Sequence, residues 1–170
     1  NKLTPSTEEY MATIAASISQ YFLSQDRSLA LMMSSQINQD LAPDRGPRQF
    51  GKVMESLALM KADGGLPFSA FVLNQARYLT RGSTLILVTP SADPDLEFTV
   101  DSLQRLGLRP VPILLNATSF GHSQGNAEIA RHFEALQVPS FLINEGENLQ
   151  AALNAKGRAE FRPVIRRNLI

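Results

Sequence analysis

The chain has 170 residues, which is enough for one ordinary domain with a substantial core. Hydrophobic residues make up 44% of it and charged residues 19%, a balance typical of soluble globular proteins that excludes the disordered, fibrous and membrane-spanning classes. Its formal net charge is zero and it has no cysteine, which excludes nucleic-acid recruitment by a global field, a disulfide framework and a thiolate nucleophile.

The first quarter of the chain is predicted to form a helix followed by strands. Hydroxyl and acidic residues from Thr4 to Glu9 indicate a helix start, and apolar residues at helical spacing extend this helix to about Gln25. The apolar run 28–34 predicts a buried strand, although its Leu and Met equally suit a helix. A short edge strand is predicted at 40–42 and a loop at 43–47.

The rest of the chain alternates helices with strands. In chain order, the predicted elements are helix 50–61, helix 68–78, strand 84–88, helix 96–106, strand 109–115, helix 126–136, strand 140–143 and helix 147–153. The two prolines of the strand 109–115 predict irregular pairing at its start. The alternation predicts an α/β fold of three layers, with a mostly parallel, doubly wound, Rossmann-like sheet and helices on both faces.

The chain is predicted to be one α/β domain over residues 1–155, followed by a basic tail over residues 156–170. The tail contains five basic residues and one acid, so it has the composition of a solvated chain end. Contact with phosphates or an anionic lipid surface is the alternative for this segment.

Polar residues collect where the predicted strands end. In an open α/β sheet, ligands bind in the crevice beyond the carboxyl ends of the strands. The predicted binding edge consists of Ser34, Ser35, Asp63, Thr89, Ser91, Asp93, Asn116 and Ser119. Such hydroxyls and amides suit an anion, a peptide or part of a hard-cation site, and helix capping is the alternative explanation for them.

The stretch Gly121-His122-Ser123-Gln124-Gly125 matches the nucleophile elbow of α/β-hydrolases. It predicts Ser123 as an alternative nucleophile with His122 beside it. The elbow mechanism places its serine directly after a strand, however, and no aspartate follows Ser123 in the chain. His122 and His132 fit no common zinc spacing, so both are predicted to be surface imidazoles.

The order of several short stretches resembles the bacterial family called domain of unknown function 58. The resemblance covers most of the chain up to about Leu153. The stretches are Glu8-Glu9-Tyr10 with Ile14-Ala15-Ala16-Ser17-Ile18, Pro43-Asp44-Arg45-Gly46, Ala62-Asp63-Gly64, Val88-Thr89-Pro90-Ser91, and Leu114-Leu115 leading to Ser119-Phe120-Gly121.

That resemblance implies a von Willebrand factor A-like domain with a divalent-cation site at its carboxyl edge. Family members place a first-strand Asp-x-Ser-x-Ser, a later threonine and an aspartate turn at that site. Here Leu66-Pro67 and Thr89-Pro90-Ser91 stand at the second and third places, and Asp93 is the nearest carboxylate. We therefore expect no metal or other cofactor, with Mg²⁺ or Mn²⁺ only where an upstream strand completes the site.

The resemblance also places the family's first strand upstream of Asn1, so this chain is expected to be a fragment without the central strand. Two unpaired strand edges would then be exposed. We expect a neighbouring chain, the tail 162–170, or direct pairing of the flanking strands to close this gap, and the fragment to self-associate through its open edges.

The preferred function is a non-enzymatic protein-binding or scaffolding domain. The resemblance implies assembly or maturation with a MoxR-type AAA ATPase, in the cytoplasm, as the soluble part of a membrane-anchored protein. A serine hydrolase using Ser123 and a metal-dependent adhesion module with a degenerate site are the alternatives. No nucleic-acid partner is expected.

Overall fold

A computed structural model describes residues 6–37, 40–61, 63–122, 125–148 and 151. The chain divides into two compact units: the first extends to Pro67 and the second begins at Phe68. The predicted tail 156–170 lies outside the described residues, as does most of the predicted helix 147–153. No helix in the described ranges combines the length and apolar character needed to cross a membrane.

The first unit begins with helix α1, Thr7–Ser24, whose start is fixed by a capping box. The Glu9 N–H donates to Ser6 Oγ at 3.3 Å, and the Ser6 N–H donates to Glu9 Oε2 at 2.9 Å. These two bonds satisfy backbone donors that have no partner inside the helix. The predicted helix start is confirmed.

Helix α2, Gly46–Ala58, begins four residues before the predicted helix. Pro47 lies in its first turn, where a missing N–H costs nothing because those N–H groups have no intrahelical acceptor. The predicted loop 43–47 was wrong, because residues 43–44 end a strand and Pro47 opens this helix. Helices α1 and α2 pack against each other.

Two short strands, β1 at Leu29–Leu31 and β2 at Leu41–Asp44, pair antiparallel in a sheet of their own. The buried side chain of Gln49 in α2 joins them: its Nε2 donates to Leu29 O at 2.8 Å and to Ala42 O at 2.9 Å. The run 28–34 was predicted to be a buried strand, but only Leu29–Leu31 form a strand, it is half-buried, and it lies outside the parallel sheet.

The second unit is α/β with a parallel three-stranded sheet flanked by helices. Its elements are α3 (Phe68–Ala76), β3 (Thr84–Thr89), α4 (Leu96–Arg105), β4 (Arg109–Leu115), a short 3-10 helix (Ala117–Phe120), α5 (Ala127–Ala135) and β5 (Phe141–Ile143). The strand order is β3-β4-β5. Each pair of consecutive strands is joined through a helix, α4 between β3 and β4 and α5 between β4 and β5, and the two helices contact each other.

Strand β4 pairs with β3 in an unbroken register from Thr84↔Arg109 to Thr89↔Leu114, so the predicted irregularity at its prolines was wrong. The Arg109 N–H donates to Ser83 O, which means that odd-numbered residues of β4 bond toward β3. Pro110 and Pro112 therefore face the other side, where pairing with β5 begins only at Ile113. Neither proline removes a ladder hydrogen bond.

The core of the second unit lies between the sheet and its helices. Leu87 of β3 and Leu114 of β4 pack there with Val100 and Leu103 of α4 and with Phe133 of α5. On the opposite face, β4 contributes further buried apolar side chains, including Ile113. This packing fixes the three strands, and it thereby fixes the loops that follow their carboxyl ends.

Candidate functional site

The three strands of the parallel sheet all end in polar residues at one edge. Thr89 ends β3, Asn116 follows β4 and Asn144 follows β5. We call the described residues of the loops that follow these strands, 89–95, 116–122, 125–126 and 144–147, the carboxyl edge. Five predicted site residues lie there: Thr89, Ser91, Asp93, Asn116 and Ser119.

Side-chain hydrogen bonds tie the loop after β4 to the loop after β5. Asn116 Nδ2 donates to Asn144 Oδ1 at 2.8 Å, and Asn116 Oδ1 accepts from Thr118 Oγ1 at 2.6 Å. Ser119 Oγ donates to Asn116 O at 2.7 Å and accepts from the Glu145 N–H at 2.9 Å. The two predicted site residues in these loops, Asn116 and Ser119, therefore make hydrogen bonds that hold the loops together.

The loop after β3 is held in the same way. Thr89 is buried, and its Oγ1 accepts from the Ser91 N–H at 3.0 Å. Asn126 is fully buried, and its Nδ2 donates to Ser91 O at 3.3 Å, although its Oδ1 has no hydrogen-bond partner among the residues that the structure describes. Sequence reasoning assigned Asn126 only to a helix start, yet it makes no side-chain cap bond and instead joins α5 to the β3 loop.

Asp93 caps a helix that lies far from it in sequence. Its Oδ2 accepts from the Ser69 N–H at 3.0 Å in the first turn of α3, and its Oδ1 accepts from the Asp95 N–H at 2.9 Å. Partial burial alone would raise the pKa of Asp93, but these backbone bonds outweigh it and hold the pKa below the usual value. Each carboxylate oxygen of Asp93 thus accepts a backbone hydrogen bond that holds the fold together.

The described residues contain no group of three or more histidine, cysteine or acidic side chains arranged to hold a metal ion. Asp93 was the nearest carboxylate for a hard cation, and it accepts two backbone N–H bonds instead. A hard cation needs several oxygen ligands, usually with carboxylates among them, and the expectation that this edge holds no metal stays a prediction.

The other three predicted site residues, Ser34, Ser35 and Asp63, lie together in the first unit. Asp63 Oδ1 accepts from the Gln36 N–H at 3.1 Å, and Ser35 Oγ donates to Ile37 O at 2.5 Å. Gly64 approaches the backbone of Ser34 so closely that a Cβ would overlap it. These residues follow β1 and α2 of the first unit, so they do not belong to a strand end of the parallel sheet.

The predicted nucleophile Ser123 lies outside the described residues. His122 is exposed, and its N–H donates to Ala117 O at 3.0 Å. A 3-10 helix separates the end of β4 from the motif, whereas an elbow needs its serine directly after the strand. His132 is also exposed, with its Nδ1 2.6 Å from Glu97 Oε1, and the hydrolase stays an untested prediction.

A groove of about 400 Å³ lies between α1 and α2 in the first unit. Ala12, Thr13, Ala16 and Ser17 line it from α1, and Phe50 and Met54 line it from α2. None of the described residues that line it is charged. Helical spacing predicted both helices, but that spacing does not indicate which of their faces form a groove.

No family model, curated protein or solved structure matches this chain.

Proposed function

We propose that this chain is a non-enzymatic, von Willebrand factor A-like protein-binding domain, acting as a scaffold for a MoxR-type AAA ATPase during assembly or maturation. The observation that carries the proposal is the uncharged groove between α1 and α2. A concave, mostly apolar surface is the kind that accepts apolar side chains of a partner helix or loop.

The two hydroxyl groups that line the groove donate their protons to backbone carbonyls of α1 and not to a ligand. Thr13 Oγ1 donates to Glu9 O and Ser17 Oγ donates to Thr13 O, each at 2.8 Å and each within α1. What Thr13 presents is therefore mainly its methyl group, beside Ala16 and the flexible thioether of Met54. Gln20 adds an amide to the lining, but Phe50, Leu57 and the alanines are apolar, so the lining as a whole favours an apolar protein segment.

The α/β layout supports the coarser part of the fold assignment. The three-stranded parallel sheet flanked by helices is compatible with a Rossmann-like layout, and the von Willebrand factor A-like assignment rests on the sequence resemblance. The choice of an ATPase partner comes from the sequence resemblance. The groove then supplies a specific surface on which that choice is testable.

The substitution Met54→Glu tests the groove. Met54 is 44% exposed, so the change leaves the fold intact while placing a carboxylate against an apolar partner. We expect the wild-type chain to bind a purified MoxR-type ATPase in titration calorimetry. We expect Met54→Glu to weaken binding by about tenfold or more, equivalent to about 1.4 kcal/mol.

The matched control is Leu59→Glu, because Leu59 is 65% exposed just after α2 and does not line the groove. This variant should bind as the wild type does. Absence of wild-type binding would refute the ATPase assignment, and equal losses in both variants would refute the groove as the contact surface.

A further inference from the structure

Strand β3 occupies the end of the parallel sheet but has the composition of a central strand. Within the described residues it pairs only with β4. Its six residues, Thr-Leu-Ile-Leu-Val-Thr, contain no charge and no proline. Edge strands are usually protected by charges, prolines, bulges or short length, because an unpaired row of backbone groups is a template for another strand.

The free side of β3 can be assigned from its pairing. Because the Arg109 N–H donates to Ser83 O, the odd-numbered residues of β3 direct their backbone groups toward β4. The even-numbered residues Thr84, Ile86 and Val88 therefore direct theirs away from it. Their side chains are half-buried, whereas Leu85, Leu87 and Thr89 are buried.

We propose that two copies of this chain associate by antiparallel pairing of their β3 strands about a two-fold axis at Ile86. This inference goes beyond the proposed scaffold function and does not depend on it. Ile86 would face Ile86 of the second copy, and Thr84 would face Val88. Each such pair exchanges both of its N–H···O bonds, so all outward groups of β3 are used.

Two properties of the chain favour a second copy as the occupant. An interface on a two-fold axis must be self-complementary, and this register pairs β-branched side chains, which favour strands, without placing any charge opposite a like charge. The formal net charge of the chain is zero, so no long-range repulsion opposes association of identical copies.

The substitution Ile86→Pro tests this pairing in the 170-residue chain. It removes an N–H that points away from β4, so the β3–β4 ladder keeps its hydrogen bonds. We expect wild type to have twice the mass of one chain by light scattering, and Ile86→Pro to have half that value with an unchanged far-ultraviolet circular dichroism spectrum. The control Ile86→Val retains the N–H and should remain dimeric.

A second measurement needs no substitution. Hydrogen exchange of the Ile86 and Val88 amides should slow as the wild-type concentration rises, because dimerisation protects them. A monomeric wild type would overturn the proposal. Protection that does not depend on concentration would also overturn it, because it would show that another segment of the same chain pairs with the free side of β3. A dimer that survives Ile86→Pro in a folded variant would place the interface elsewhere.

Discussion

The two sheets of this chain differ in how their strands are stabilised. Strands β1 and β2 are three and four residues long, and they are half-buried or exposed along their length. Pro43 and Asp44 lie in β2. The register of pairing shifts between Leu29, which pairs with Asp44, and Leu31, which pairs with Leu41. Strands β4 and β5 in the second unit are instead almost continuously buried and evenly paired.

This difference shows which forces dominate in each sheet. The small sheet depends on a polar contact, because Gln49 donates to a carbonyl of each strand. The parallel sheet depends on apolar packing, with 0% exposure at Ile113, Leu114 and Leu115. The small sheet also has the features that discourage pairing with other chains, whereas β3 has none of them.

The largest effect is expected from Ile113→Ala in the centre of the parallel sheet. Removing this fully buried side chain leaves a cavity, and we expect a loss of about 2–5 kcal/mol in the free energy of unfolding. Leu31→Ala in half-buried β1 should cost about 1 kcal/mol. Urea unfolding of both variants measures the contrast, and equal losses would contradict it.

The next effect is expected from Gln49→Met, which preserves the volume of the side chain but removes its donor. The Leu29 and Ala42 carbonyls would each lose a hydrogen bond, and we expect a loss of about 1–3 kcal/mol in the free energy of unfolding. Gln104→Met on the exposed side of α4 is the matched control and should change little. A neutral Gln49→Met would show that packing alone holds the small sheet.

The elements of the second unit could largely be predicted from sequence because their patterns are strong and local. The strand 109–115 has its predicted bounds, and β3 extends only one residue past its prediction. Sheet membership could not be predicted, since the run 28–34 has a pattern that fits either a parallel or an antiparallel strand. Its pairing with β2 is accompanied by hydrogen bonds from Gln49 to both strands, and a local sequence pattern does not encode these bonds.

The candidate site was predictable only as a set of residue types. Hydroxyls and amides were expected at strand ends, and Thr89, Asn116 and Asn144 do lie at the carboxyl edge. Hydrogen bonds at this edge join residues up to 35 positions apart, as between Asn126 and Ser91, and no local pattern encodes such pairs. The contact between Asp93 and Ser69 of α3 was not predicted for the same reason, since the two residues are 24 positions apart.

The smallest effect is expected from Asp93→Asn, which alters a polar contact of the second unit. The variant loses a charged acceptor at the start of α3, and we expect a cost near pH 7 of about 1 kcal/mol, as for other helix caps. Because the pKa of Asp93 is lower in the folded state than its ordinary value of 3.8, its contribution is complete above that value. It is lost as the pH falls through the folded pKa, so wild type and variant should converge in acid. Unfolding curves at a series of pH values measure this, and a gap that stays constant into acid would assign the cost to geometry instead of charge.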